Sequence, residues 1–348
     1  MIVVVGAGVM GLATAWALSR RGEEVVVLEQ FELGHRRGSS HGTSRIFRLS
    51  YPDAEWVALA QDAYVLWREL EAETGGRLLA LHGLVDAVRD VDAHGAALTA
   101  RGVSFDVLTG AEVGERFGLS YEPAARLLFQ PDAGIARADG ALAAFREAAV
   151  GHGATVRERT PVRALSLRDD AVAVATEDGE LVARAVVVTA GSWAPGLVET
   201  LGVELSVTVT RETVAYFAVE DARAPVSVID DLDDPRPGES FYALAAPGVG
   251  LKAGAHRAGP VADPDGEGLP EQRLVEEISA WVARRFPRAD PQPLGAETCL
   301  YTNAPDERFI IERHGRVVVG SPCSGHGFKF APAIGERLAA LAVRAAAS

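Results

Sequence analysis

The chain opens on an unbroken apolar run, Ile2 to Val5, passes a glycine turn, shows helical spacing from Val9 to about Arg21, and returns to a second apolar run, Val25 to Leu28. Short continuous apolar runs on either side of a helix are the pattern of parallel strands buried on both faces, a β-α-β unit. A polar loop follows from Gln30 to about Arg45. Helical periodicity resumes in DAEWVALAQDAYVLWRELEAE, where Trp56, Leu59, Ala60, Ala63, Leu66, Trp67 and Leu70 share one face. That predicts a long helix packed on a core.

Residues 82–134 mix short strands and helices, and ADGALAAFREAAVGHGATV reads as a helix feeding a strand. Next come three strand-like runs, separated by turn signals at Arg168-Asp169-Asp170 and Asp178-Gly179 and ending in an apolar run before Gly191. Residues 203–256 alternate as antiparallel strands do, VELSVTVTRETVAYFAV most clearly, with an interruption at the acidic, proline-bearing loop DDLDDPRPGES. A helix from about Leu269 to Phe286, strands near Cys299, Phe309 and Val317, and a helix from about Gly327 to Arg344 complete the chain. There is no internal repeat.

At 348 residues the chain is long for one domain and comfortable for two. No apolar run is long enough to cross a bilayer, and the first residues enter a strand without a basic, cleavable leader, which leads us to expect a cytoplasmic protein. The net charge of −14 repels phosphate backbones and anionic lipid, so neither nucleic acid nor a membrane surface is an expected partner. The eight histidines and two cysteines show no metal-ligand spacing, and no metal is expected.

Gly6, Gly8 and Gly11 form G-x-G-x-x-G at the first strand-to-helix junction. The first glycine permits the tight turn, the second lets backbone approach a pyrophosphate, and the third lets helix and sheet pack closely. Glu29 ends the second strand, where a carboxylate accepts hydrogen bonds from ribose hydroxyls and repels a 2′-phosphate, disfavouring NADP. The glycines alone do not separate FAD from NAD. The loop after the second strand, SSHGTSRIFR, is basic and hydroxyl-rich, with Ser39, Ser40, Ser44, Arg45 and Arg48, as a stretch near a pyrophosphate and flavin needs to be.

Near the other end, Gly325 and Gly327 stand immediately before the last helix in SPCSGHGFKFAPAIGERLAALAV. Free amides at a helix start would stabilise the negative charge of a reduced flavin. Lys329, in the first turn, opposes the helix dipole, and such a disfavoured cation suggests a ligand carboxylate. Read by themselves, Lys329 and Lys252 could equally be solvated lysines, and Cys299 a small buried hydrophobe.

Together these segments resemble the monomeric sarcosine oxidase and N-methyltryptophan oxidase family of FAD-dependent amine oxidases over nearly the whole chain. The matches are HGTSRIFR, VTAGSW, GLKAGAH, TCLYT followed by DERFII, and above all SGHGFKF, in the family's order and approximate spacing. The resemblance implies an α/β protein with an FAD-binding Rossmann-type, glutathione-reductase-like domain that is discontinuous (1–80, 138–200 and 295–348). A second, α+β substrate domain on an antiparallel sheet takes 81–137 and 201–294. It further implies flavin attached covalently to Cys299, an arginine near the flavin at Arg45, and a substrate carboxylate held by Arg48 and Lys329. Lys252 matches the lysine that activates oxygen, and Ser44 a hydroxyl of the same network. Tyr242, His256, Tyr301 and His326 match residues lining the substrate cavity, and Ser40, Val162 and Gly191 complete the expected FAD contacts.

This chain departs from the family in four places. One residue is missing between Tyr242 and Lys252, Cys323 stands where phenylalanine is frequent, the acidic loop near Asp231 has no clear counterpart, and the chain stops soon after its last helix. The expected activity is oxidation of a secondary-amine amino acid, N-methyl or cyclic, to an imine by a monomer, with oxygen reduced to hydrogen peroxide. A dehydrogenase passing electrons to a partner, an FAD monooxygenase and an inactive flavin-binding module are the alternatives.

Overall fold

Ile2–Val5 is a fully buried strand paired in parallel with Val25–Leu28 on one side and Ala185–Val188 on the other. The computed structural model of the protein describes residues 1–220, 225–233 and 240–348. Thr155–Arg157 extends this sheet at one edge, Val317–Ser321 at the other, and Ile310–His314 closes it antiparallel. Every residue of the first helix, Val9–Ser19, except Met10 is buried. The helix is apolar all round because the sheet covers one side and the helices Ala138–Gly151 and Ala331–Ala346 cover the other.

Gly11 shows how tight this packing is. A Cβ there would lie 1.8 Å from the carbonyl oxygen of Gly6 and 2.8 Å from Thr189 Oγ1, so the glycine sets how closely helix and sheet approach.

The long predicted helix is Ala54–Thr74, capped by the Asp53 side chain accepting from Glu55 N and ended by Gly75 in the left-handed conformation. Of the predicted face Leu59, Ala60, Ala63, Trp67 and Leu70 are buried, whereas Trp56 and Leu66 are only half-buried. The three runs before Gly191 form the antiparallel sheet Val162–Leu167, Val172–Thr176 and Gly179–Ala183. The last helix starts later than its periodicity suggested. A 3₁₀ turn, Phe328–Phe330, carries Lys329, and the α-helix begins at Ala331, because Pro332 lacks an N–H and is accommodated only in a first turn.

Arg45–Phe47, Gly134–Ala136 and Leu79–Leu81 form a second small antiparallel sheet, and an eight-stranded sheet holds the strands Ala289–Asn303, Thr208–Val219, Gly250–His256, Ser240–Ala246, Ser227–Asp230, Leu84–Ala87, Arg126–Gln130 and Asp106–Thr109, in that order. Its neighbours are antiparallel except Ser227–Asp230 with Leu84–Ala87, the seam where two distant sequence segments meet without a hairpin to set their direction. The division placed at residue 295 falls inside its edge strand, Ala289–Asn303. Residues 234–239 of the acidic loop lie outside the described residues.

Strand alternation separates the two faces of this sheet. Ala215, Phe217, Ala253, Phe241 and Val228 point to the back, where Ile278, Trp281 and Val282 of the helix Gln272–Arg285 cover them. Asp230 also points back, accepting from Trp281 Nε1 at 3.0 Å and Arg285 Nε at 2.7 Å. The registers Glu212 with Cys299, Tyr216 with Lys252, and Ile229 with both Tyr242 and Asp86 place the polar residues together on the front. Among the described residues no helix is long and apolar enough to cross a membrane.

Gly11→Ala should destabilise the FAD-loaded protein by roughly 1–3 kcal/mol, because the backbone it meets cannot give way. Gly151→Ala, where a Cβ meets nothing within 4 Å, serves as the control. Equal urea midpoints for the two variants would refute the close-packing account.

Candidate active site

Between the glycine turn and the front of the eight-stranded sheet lies a cavity of about 1420 Å³. An ordinary small-ligand pocket spans roughly 300–1,000 Å³, so this one has room for a dinucleotide and a second small molecule.

At one end stand Gly6, Gly8, Val162 and Gly191. Glu29 is buried, its Oε2 accepting from Ala7 N at 2.8 Å and its Oε1 from Phe31 N at 3.0 Å. A carboxylate fixed by two amides keeps lone pairs for ribose hydroxyls. Ser40 Oγ accepts from Val9 N at 3.1 Å, bringing the loop over the helix start. A glycine-rich turn, a helix amino terminus and an oriented acid fit the ADP half of FAD.

In the middle, Cys299 projects from the edge strand and Lys252 from the third strand. Burial, and then Arg45, push the Lys252 ammonium down to about 7, against the opposing pull of Cys299 and Glu297. Burial also raises the Cys299 thiol, although Arg45 and Lys252 act the other way. Arg45 is anchored by three carbonyls, those of Ser44, Ser39 and His41, at 2.8, 2.8 and 2.7 Å. Ser44 Oγ donates to Ala245 O at 2.7 Å. The Tyr216 hydroxyl donates to Glu297, beneath the Lys252 ammonium.

At the far end Arg48 and Lys329 flank Tyr51. The Arg48 guanidinium lies 4.4 Å from the ring centroid, and Lys329 Nζ donates to the Tyr51 hydroxyl at 2.9 Å and to His326 O at 2.8 Å. Burial and then Arg48 hold the Lys329 ammonium well below its usual range. Trp67 Nε1 donates to Lys329 O at 2.8 Å, so the long helix seats the turn that carries the lysine. Trp56 and Phe309 meet edge to face at 4.8 Å, and Phe309 lies 4.9 Å from the His326 ring. Gly325, at φ +76°, brings this segment against the sheet, where a Cβ would lie 2.3 Å from Tyr301 and 2.5 Å from His256.

The cavity lining thus includes every residue singled out in the sequence except Gly11, which lies beneath the turn. Tyr242, His256, Tyr301, His326 and Gly327 are all on the wall, and so is Cys323, whose Sγ accepts from Thr302 N at 3.4 Å. Sequence reasoning missed Tyr51, Asp86, Tyr216 and Glu297. Asp86 is fully buried and binds Arg48 Nη1 at 3.1 Å and Ser50 Oγ at 2.6 Å. A lone acid inside the apolar stretch GLVDAV was the available signal.

The fold and site are those of a flavin-dependent oxidoreductase, and comparison with known proteins agrees. A family described as FAD dependent oxidoreductase matches residues 1–341. The monomeric sarcosine oxidase of Bacillus sp. (strain B-0618) and the peroxisomal sarcosine oxidase of Homo sapiens are each 31% identical over 98% of this chain and 92% of their own length. The solved structure of NikD, an unusual amino acid oxidase essential for nikkomycin biosynthesis, superposes with a TM-score of 0.86 at 30% identity, covering 98% of this chain and 93% of that one. The L-proline dehydrogenase from P. horikoshii, at 23% identity and a TM-score of 0.86 over 99% of this chain and 93% of its own, shares the fold. The chain belongs to the FAD-dependent oxidoreductase family, among the relatives of the sarcosine oxidases.

Three histidines of the cavity wall, one buried and two half-buried, give the site a pH signature. Burial lowers His41 to about 4 and His256 to about 3, and lowers His326 as well. Below about pH 6.5 the unfolded chain takes up protons that the native chain refuses, so stability falls on acidification, each group adding up to about 1.4 kcal/mol per pH unit. Between pH 6.5 and 4 the slope for His41→Gln should be shallower by up to one proton. Urea unfolding at several pH values checks this, and an unchanged slope would count against a neutral buried His41.

Proposed function

We propose that this protein oxidises the C–N bond of an amino acid bearing a secondary amine, N-methyl or cyclic, to an imine and passes the electrons to oxygen, giving hydrogen peroxide. The observation that carries the reading is the pair Arg48 and Lys329 around Tyr51, in the same cavity as Lys252 and Cys299. The names and full-length coverage of the sarcosine oxidase relatives support it. Bound FAD supplies the two-electron acceptor for the substrate's C–H and the donor for oxygen.

The substrate carboxylate binds between Arg48 and Lys329. Lys329 is buried beside another cation, which disfavours its proton, and an incoming carboxylate restores it. Carboxylate binding is therefore coupled to proton uptake at Lys329 Nζ. His256 is held neutral by burial and so borders the substrate without competing for its carboxylate. No side-chain base is required when the amine enters unprotonated.

Lys252 presents a buried cation where oxygen is reduced, and a fixed charge in a dry site lowers the energy of the anion formed there. Ser44 and Arg45 bound the same region. Cys299 offers the thiol for a covalent flavin link from the front of the sheet. The discontinuous FAD domain proposed here comprises 1–80, 138–200 and 295–348, with the remainder binding substrate, in a monomeric cytoplasmic enzyme.

An oxygen-coupled screen of N-methyl and cyclic amino acids should find substrates that also bleach the flavin anaerobically, and no bleaching by any of them would sink the substrate class. Lys252→Met should slow flavin reoxidation on the order of 10²-fold or more, with reduction little changed. Because the protonated lysine acts, wild-type reoxidation should also fall as pH rises through about 7. On acid precipitation the yellow colour should stay with the wild-type protein and leave Cys299→Ser; free FAD from both would contradict the covalent link.

A further inference from the structure

The cavity wall near Arg48 includes Val88, Arg89, Asp90, His94, Ile229 and Asp231. Register places Asp86, Ile229 and Tyr242 side by side on the front of the sheet. Asp231 N donates to Ala87 O at 2.9 Å, which carries the pairing one residue further and turns the Asp231 side chain to the face that Ile229 occupies. Asp230, between them, is fixed to the back helix.

Two features set this wall apart. Asp86 is fully buried with its Oδ1 unpartnered, and the buried Arg48 Nε beside it is unpartnered too. Other acids of the lining have local partners: Asp53 caps Glu55 N, Asp90 caps Ala93 N, Asp306 caps Arg308 N, and Glu307 pairs with Arg257. Arg89 shares the wall, yet no hydrogen bond or ion pair among the described residues reaches the Asp231 carboxylate. Burial and Asp86 raise its pKa, Arg48 and His94 lower it, and Asp230 raises it from the back.

Charge counting shows what is missing. Arg48 is already matched by Asp86 at 3.1 Å. Among the described residues, Arg48, Arg89 and a protonated Lys329 face Asp86, Asp90, Asp231 and the substrate carboxylate, three cations against four anions. An uncompensated charge in such a site is costly, and one positive group on the ligand balances it.

We propose that Asp231 is a specificity residue that holds a second, cationic group on the substrate, making secondary-amine amino acids with a basic side chain the preferred class. This rests on the amino-acid oxidase reading above.

The test uses the FAD-loaded enzyme and two racemic probes of equal length, Nα-methyl-lysine and Nα-methyl-norleucine, with sarcosine and proline alongside. Anaerobic stopped-flow reduction separates the dissociation constant from the limiting rate. The wild type should bind the lysine probe at least about tenfold more tightly than the norleucine probe, and Asp231→Asn should reduce that ratio to within about twofold. Asp231→Glu, which keeps the charge, should retain a preference and guards against misfolding of the amide variant. Equal binding of the two probes by wild type, or a ratio that survives Asp231→Asn, overturns the proposal while sarcosine or proline oxidation upholds the amine oxidase reading. Reduction by none of the four overturns both.

Discussion

Everything in the cavity depends on the two-residue repeat of one sheet. The eight-stranded sheet sends apolar side chains to a back face sealed by Trp281 and its helix, and sends Cys299, Glu297, Lys252, Tyr242 and Asp86 to the front. A slip of one residue in Gly250–His256 would bury the charge of Lys252 under the helix, and one in Ser240–Ala246 would turn Phe241 to the cofactor side. The core therefore enforces the register, and the register places the chemistry.

Parts of the molecule with their own local signals were legible before folding was considered. The glycine turn, Glu29 and the capped helix Ala54–Thr74 each announce themselves through periodicity or a required residue type. What the sequence could not show was pairing between distant segments. The parallel seam of Ser227–Asp230 with Leu84–Ala87 brings Asp86 beneath Arg48, and nothing in either segment alone signals that meeting. Tyr216 and Glu297 are likewise joined only through the register of two strands. Lys329 stood out in the sequence as a cation at a helix start, but it sits in the 3₁₀ turn before that helix, a shift that the periodicity alone did not signal.

The cavity keeps its charges in different states of repair. Arg45 is satisfied by backbone, Arg48 by Asp86, and Lys329 by dipoles alone. Lys329, held away from water and satisfied only by neutral groups, is therefore the cation with most to gain from an incoming carboxylate.

The strand order of the parallel sheet also bears on how the protein comes into being. Ile2–Val5 is made before Ala185–Val188, one of its two neighbours, and that neighbour is made before Val317–Ser321, with which it also pairs. The turn that cradles the nucleotide is therefore framed by three segments far apart in the order of synthesis. On the ribosome the flavin cradle stays incomplete until Val317–Ser321 has emerged, and cofactor capture waits for that segment.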